Sequence, residues 1–159
     1  LMSGLYLNEL LVRSLPRMDV SPSLFLAYGQ AIESLHEGVG EESLRRFELV
    51  LLSELGYSVA WDSDEQREPI RAEAHYRFEV DRGFCVAESA AAPSRSDRLL
   101  PGAHIIRLGK WWEGADALGI DELSLLKGIT RAAVTQLTGG RVIRTREVLK
   151  DLKSLGKGA

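Results

Sequence analysis

The densest hydrophobic pattern in the chain runs from Glu41 to Tyr57, EESLRRFELVLLSELGY. Wound at about 100° per residue, Leu44, Phe47, Leu51 and Leu55 share one narrow stripe. Leu49, Val50 and Leu52 carry the apolar surface well past half the circumference. A helix apolar on nearly every side is a buried one, so this segment is expected to be the centre of a helical core. Its ends agree: Glu41 and Glu42 sit at the positive N-terminus, and Gly56 follows where a left-handed C-cap is wanted. Glu48 breaks the pattern, since it falls among the leucines. A carboxylate there needs a partner, and Arg45, three residues back, is the nearest candidate.

Other segments show the same period. Leu5, Leu7, Leu10, Leu11 and Leu15 predict a helix opening almost at the first residue and stopped by Pro16. Ser21-Pro22 is a helix start, followed by Leu24, Phe25, Tyr28, Ile32 and Leu35 up to Gly38. The helical period then fades. Trp61 to Arg71 is charged and irregular, a loop, and Ala90 to Ser96 a second one. Between them HYRFEV, Asp81-Arg82-Gly83 and FCVAE spell a β-hairpin, with the glycine at the left-handed position of a three-residue loop. Leu99 to Trp112 predicts one or two short helices interrupted at Pro101-Gly102. A strong helix begins at Asp121, with Leu123, Leu126, Thr130, Ala133, Val134 and Leu137 on one side and Gly139-Gly140 at its end. Thr145 caps a last helix carrying Val148, Leu149, Leu152 and Leu155. The expected fold is therefore mainly α: a bundle of about six helices with a small β-hairpin insertion, residues 61–107 forming the irregular part of one domain spanning 1–159.

Composition changes this picture little, with 45% hydrophobic and 27% charged residues in 159. No apolar run reaches the roughly 18–20 residues of a membrane span, and no signal peptide is visible. Cys85 is the single cysteine, so no disulfide framework can form within the chain, and a reducing, cytoplasmic setting follows. Charge is more informative. Residues 127–159 carry eight basic side chains against two acidic ones, a balance of +6 in a chain whose net charge is −3. Such an end suits an acidic partner, or is simply a solvated helix face.

Catalytic chemistry finds little support. His36, His75 and His104 belong to no metal or nucleophile motif, and each is more readily a structural or surface histidine. There is no nucleophile elbow, zincin or phosphate-loop motif, so no enzyme activity, cofactor or metal is expected. Asp62, Asp64, Glu65 and Glu68 lack the spacing of a calcium loop. Trp111-Trp112 could stack on bases, although at least one ring belongs with the core beside Ile105 and Leu108. Two features remain. One is the pair Arg45-Arg46, for which, on charge pattern alone, i,i+4 pairing with Glu41 and Glu42 is the simpler, structural explanation. The other is the basic stretch Arg141 to Lys153, in which Arg144 and Arg146 flank a helix N-cap fit for a phosphate or carboxylate.

The segments SGLYLNELLVRSL, LRRFELVLLSELGY and LTGGRVIRTREVLKDL, in this order and at this spacing, resemble the RecO recombination mediators. The likeness covers nearly the whole chain and is weakest between Trp61 and Leu118. It corresponds to the helical C-terminal part of that family, without the N-terminal oligonucleotide-binding barrel, which would account for a helix at residue 5. The resemblance implies a non-enzymatic DNA repair factor that binds single- and double-stranded DNA. Such factors act with RecR to load RecA, and hold the acidic tail of single-strand-binding protein. It places the tail contact at the first arginine of LRRFE, Arg45, with Arg46 second, while Arg141, Arg144, Arg146 and Lys150 are the DNA candidates. Some members bind zinc through four cysteines in the hairpin region; Cys85 alone occupies it here. On this reading Arg45→Ala should abolish tail binding and leave the thermal midpoint nearly unchanged. Unfolding would favour a structural Arg45–Glu48 pair. The competing class is a helical protein-interaction scaffold without DNA affinity. A small hydrolase is a third, which a histidine beside a carboxylate in a pocket would revive.

Overall fold

A computed structural model describes residues 2–14, 22–37, 40–87, 98–115 and 117–139. They form α1 (Met2–Ser14), α2 (Pro22–His36), α3 (Gly40–Glu54), β1 (His75–Glu79), β2 (Gly83–Val86), β3 (Leu100–Pro101), α4 (Gly102–Trp112) and α5 (Ile120–Leu137). The protein is mostly helical with a small antiparallel sheet, the class expected from the hydrophobic pattern. The last helix, expected after Thr145, and the loop Ala90 to Ser96 lie outside the described residues. No helix among the described residues is long and apolar enough to cross a membrane.

The chain divides into two compact units. The first holds α1, α2 and α3 as far as Leu51, with the end of α5 from Ala133. Its core is built from Leu7 and Leu10 of α1, Leu24, Ala27 and Ala31 of α2, and Leu44, Phe47 and Leu51 of α3. Each fully buried Leu or Phe contributes about 1.5–3 kcal/mol, so α3, buried on most sides, dominates this unit. The Phe47 ring meets Tyr28 of α2 edge-on at 6.0 Å, and the Tyr28 hydroxyl donates to Asn8 Oδ1 of α1 at 2.7 Å.

Two details of the helical faces differ from the periodic reading. Phe25, counted with the core, is 72% exposed, and Leu5 is 50% exposed. The small Ala27 and Ala31 are buried instead in α2, and Tyr6 takes the inward place in α1. Large side chains mislead here because close approach of helices favours small residues at the contact, and a tyrosine can be buried when its hydroxyl finds an acceptor.

The second unit runs from Leu52 to Ala132. β1 pairs with β2 through Tyr76–Val86, Arg77–Cys85, Phe78–Phe84 and Glu79–Gly83. The expected hairpin is real, and Gly83 has φ +83°, as Gly56 after α3 has φ +88°. The insertion is larger than a hairpin, however. Leu100-Pro101 adds a third strand antiparallel to β1, giving the order β2-β1-β3. Two residues are too short to show a period of two, and proline is tolerated there because β3 lies at a sheet edge. The interruption expected at Pro101-Gly102 is the start of a single helix: Pro101 is extended at φ −62°, ψ 134°, and α4 begins behind it. Gly102 is required by close approach, since a side chain there would collide with the carbonyl of Arg71 and the ring of Tyr76.

On α4 the buried positions are Gly102, Ile105, Leu108 and Trp111, with Arg107 and Lys110 facing water. Trp111 is core and Trp112 half-buried. On α5 Glu122, Leu125, Leu126, Ile129, Thr130, Ala133 and Val134 are buried, so the inward face is rotated from the expected stripe: Leu125 and Ile129 join it, and Leu123 and Leu137 are only half-buried. The charged segment after α3 is a loop, as expected: Asp64 Oδ1 accepts the amides of Gln66 and Glu68 at 2.9 and 3.0 Å. It is not wholly a surface segment, since Trp61 is buried against the Phe84 ring at 5.7 Å.

Candidate functional site

The carboxylate that interrupts the apolar surface of α3 is resolved by two partners. Glu48 is fully buried, and Arg45 Nη1 donates to its Oε2 at 2.5 Å. The Tyr6 hydroxyl of α1 donates to Oε1, also at 2.5 Å. Arg45 itself is only 5% exposed. A single turn of helix puts positions 45 and 48 side by side, which is why this pair is local and Tyr6, 42 residues away from Glu48, is not. The Arg45 guanidinium is thus turned inward. Burial of Arg45 leaves a foreign carboxylate little access to it. Arg46, half-buried, is the more accessible of the two arginines.

A second buried carboxylate lies in the other unit. Glu122, in the first turn of α5, is 2% exposed and receives Arg107 Nη1 at 2.7 Å on Oε1. His104 Nδ1 stands 2.8 Å from the same oxygen. Burial pushes the Glu122 carboxyl up, but the hydrogen bonds from His104 and its own backbone amide, with the charge of Arg107, outweigh burial and hold it below the usual carboxylate range. Position in the first turn helps, because the helix N-terminus favours a negative charge. This is the histidine beside a carboxylate that a hydrolase would need. Among the described residues no hydroxyl or thiol bonds to the His104 ring, and the pair is not in the lining of a hollow beside β1 in the same unit. Its geometry ties α4 to α5.

That hollow, about 230 Å³, lies between the sheet and α5, with Arg77, Phe78 and Leu100 on one side and Leu125 and Ile129 on the other. Arg98 also lines it and donates through Nη1 to Ser124 Oγ at 3.0 Å. Neither arginine belongs to a basic run or motif in the sequence, since Arg77 sits in β1 and Arg98 just before β3. Cys85 faces away from reactivity: burial, reinforced by Glu65 and Glu79 and opposed by Arg82, pushes its thiol up to about 11. His36 closes α2, its Nδ1 3.2 Å from the Ile32 carbonyl, and His75 is exposed at the start of β1. Arg141, Arg144, Arg146 and Lys150 lie outside the described residues.

The family model for the C-terminal part of recombination protein O matches residues 1–137. The DNA repair protein RecO of Aromatoleum aromaticum is 35% identical over 156 residues, covering 98% of this chain and 62% of that protein. The same-named protein of Stutzerimonas stutzeri is 36% identical over 154 residues, 96% of this chain and 61% of its own length. That of Pseudomonas putida reaches 49% identity over 85 residues, 53% of this chain and 37% of its length. The chain belongs to the RecO family. It spans about three-fifths of the length of the longest-matching of these relatives.

Proposed function

We propose that this chain is the helical part of a DNA repair and recombination mediator of the cytoplasm, working through contacts with DNA and other proteins and not through catalysis. The observation that carries the reading is the family match over residues 1–137, together with relatives named for DNA repair that align along nearly the whole chain. On this reading the domain holds the acidic tail of single-strand-binding protein through Arg45 and Arg46, meets DNA through Arg141, Arg144, Arg146 and Lys150, and acts with RecR to load RecA. On this reading Arg46, half-buried, supplies the more accessible charge, and Arg45 stands beside it paired with Glu48.

The test has two arms. A fluorescent peptide of the single-strand-binding protein tail should bind the chain, and Arg46→Ala should weaken it about tenfold with the thermal midpoint unchanged. Mobility shifts with single-stranded oligonucleotides should weaken with salt. Replacing Arg141, Arg144, Arg146 and Lys150 together should then lower the slope of log affinity against log salt by about 3. Tail binding with no salt-dependent DNA complex would favour an interaction scaffold; neither activity would overturn the reading.

A further inference from the structure

The hollow between the sheet and α5 combines two features that occur together in few places on a folded surface. Its floor is apolar, formed by Phe78, Leu100, Leu125 and Ile129, and its charged lining residues are both arginines, Arg77 and Arg98. Among the described residues no acidic side chain lines it. β3 stops pairing with β1 at Leu100–Tyr76, so Arg77 and Phe78 lie on β1 just past the end of the edge strand. On α5 Gly128 and Ala132 present almost no side chain, which leaves room for a ligand to approach the helix closely.

The two guanidinium groups are positioned rather than merely nearby. Arg98 is exposed but anchored to α5, through Nη1 to the hydroxyl and the carbonyl of Ser124 at 3.0 and 3.3 Å. Arg77 has a buried Nε–H with no acceptor among the described residues. A carboxylate entering the hollow would meet Arg77 on the side of this half-buried residue that lines it.

We propose that this hollow is a binding site for an acidic segment of a protein partner, seating an apolar side chain on the Leu100–Leu125–Ile129 floor with a neighbouring carboxylate on Arg77 and Arg98. The floor decides against nucleic acid. Unpaired bases bind by stacking on open aromatic faces, whereas three of these walls are aliphatic and the Phe78 ring is packed against Phe84 at 5.3 Å. The site belongs to the Leu52–Ala132 unit and does not depend on the tail contact at Arg45 and Arg46, which belongs to the other.

The experiment is a titration of the full ¹⁵N-labelled chain with the blocked tetrapeptide Asp-Leu-Phe-Glu, followed by amide chemical shifts. The amides of Leu100, Gly128 and Ile129 should move. Affinity should fall about tenfold for the uncharged Asn-Leu-Phe-Gln peptide and for Arg98→Gln, with the amide spectrum of the free variant reporting on its fold. Arg77→Gln should add to that loss, and Arg46→Ala should leave it unchanged. Equal shifts from the uncharged peptide, no shifts at millimolar peptide, stronger shifts from a thymidine 15-mer, or loss with Arg46→Ala would each overturn the proposal.

Discussion

Among the described residues the two units each bury one glutamate, and they do so in opposite ways. Glu48 sits in the middle of α3, where the helix offers its side chain no free backbone donor, and both of its partners, Arg45 and Tyr6, are themselves buried. Glu122 sits in the first turn of α5, where the helix terminus favours it, and the side chain of Arg107 is 60% exposed. Water can replace Arg107 when it is removed. Arg45 is far less open to water, at 5% exposure. The difference shows that a buried charge is only as tolerant of mutation as its partners are close to solvent.

The comparison can be broken most directly at Arg45. Arg45→Ala leaves a buried carboxylate with Tyr6 as its main remaining donor, and should cost about 3–5 kcal/mol in urea denaturation. This reverses the expectation from sequence of an unchanged melting point, and a loss below about 1 kcal/mol would refute the structural role. Tyr6→Phe removes one hydrogen bond from Glu48 and should cost about 1–3 kcal/mol, measured the same way. In the other unit Arg107→Ala should cost about 1 kcal/mol or less, since the pair is half in water and His104 remains in place. A larger loss there would make the two carboxylates alike. The smallest effect is a pH dependence. The Glu122 carboxyl is held below its unfolded value, so its contribution is complete above about pH 5 and is lost as pH falls through the lower, folded value. Glu122→Gln should flatten that part of an acid denaturation curve, and an unchanged curve would show that the shift carries no stability.

What could be read in advance follows from how far apart the interacting residues lie. The burial of α3, its left-handed glycine and the Arg45–Glu48 spacing are properties of one helix, and the sequence displays them. The third member, Tyr6, needs α1 to pack on α3, and nothing in the spacing of leucines distinguishes it from its neighbour Leu5, which is exposed instead. Glu122 looks like an ordinary acid at a helix start; only the approach of α4 makes it the centre of a cluster. The β-hairpin was visible from its alternation and its Asp81-Arg82-Gly83 loop, whereas β3 was not, since two residues carry no period. Arg77 and Arg98 became a site only when that short strand turned the chain back along β1.

The placement of Trp61, Trp111 and Trp112 has a practical consequence. All three of the chain's indoles fall between Leu52 and Ala132, with Trp61 and Trp111 buried, while α1, α2 and the Tyr6–Glu48–Arg45 cluster have none. Emission at 350 nm is therefore an optical signal from one half of the molecule, and melting of α1 and α2 would be dark to it while reducing ellipticity at 222 nm. Recording both signals in one titration turns an accident of composition into a direct reading of whether the halves come apart together or in turn.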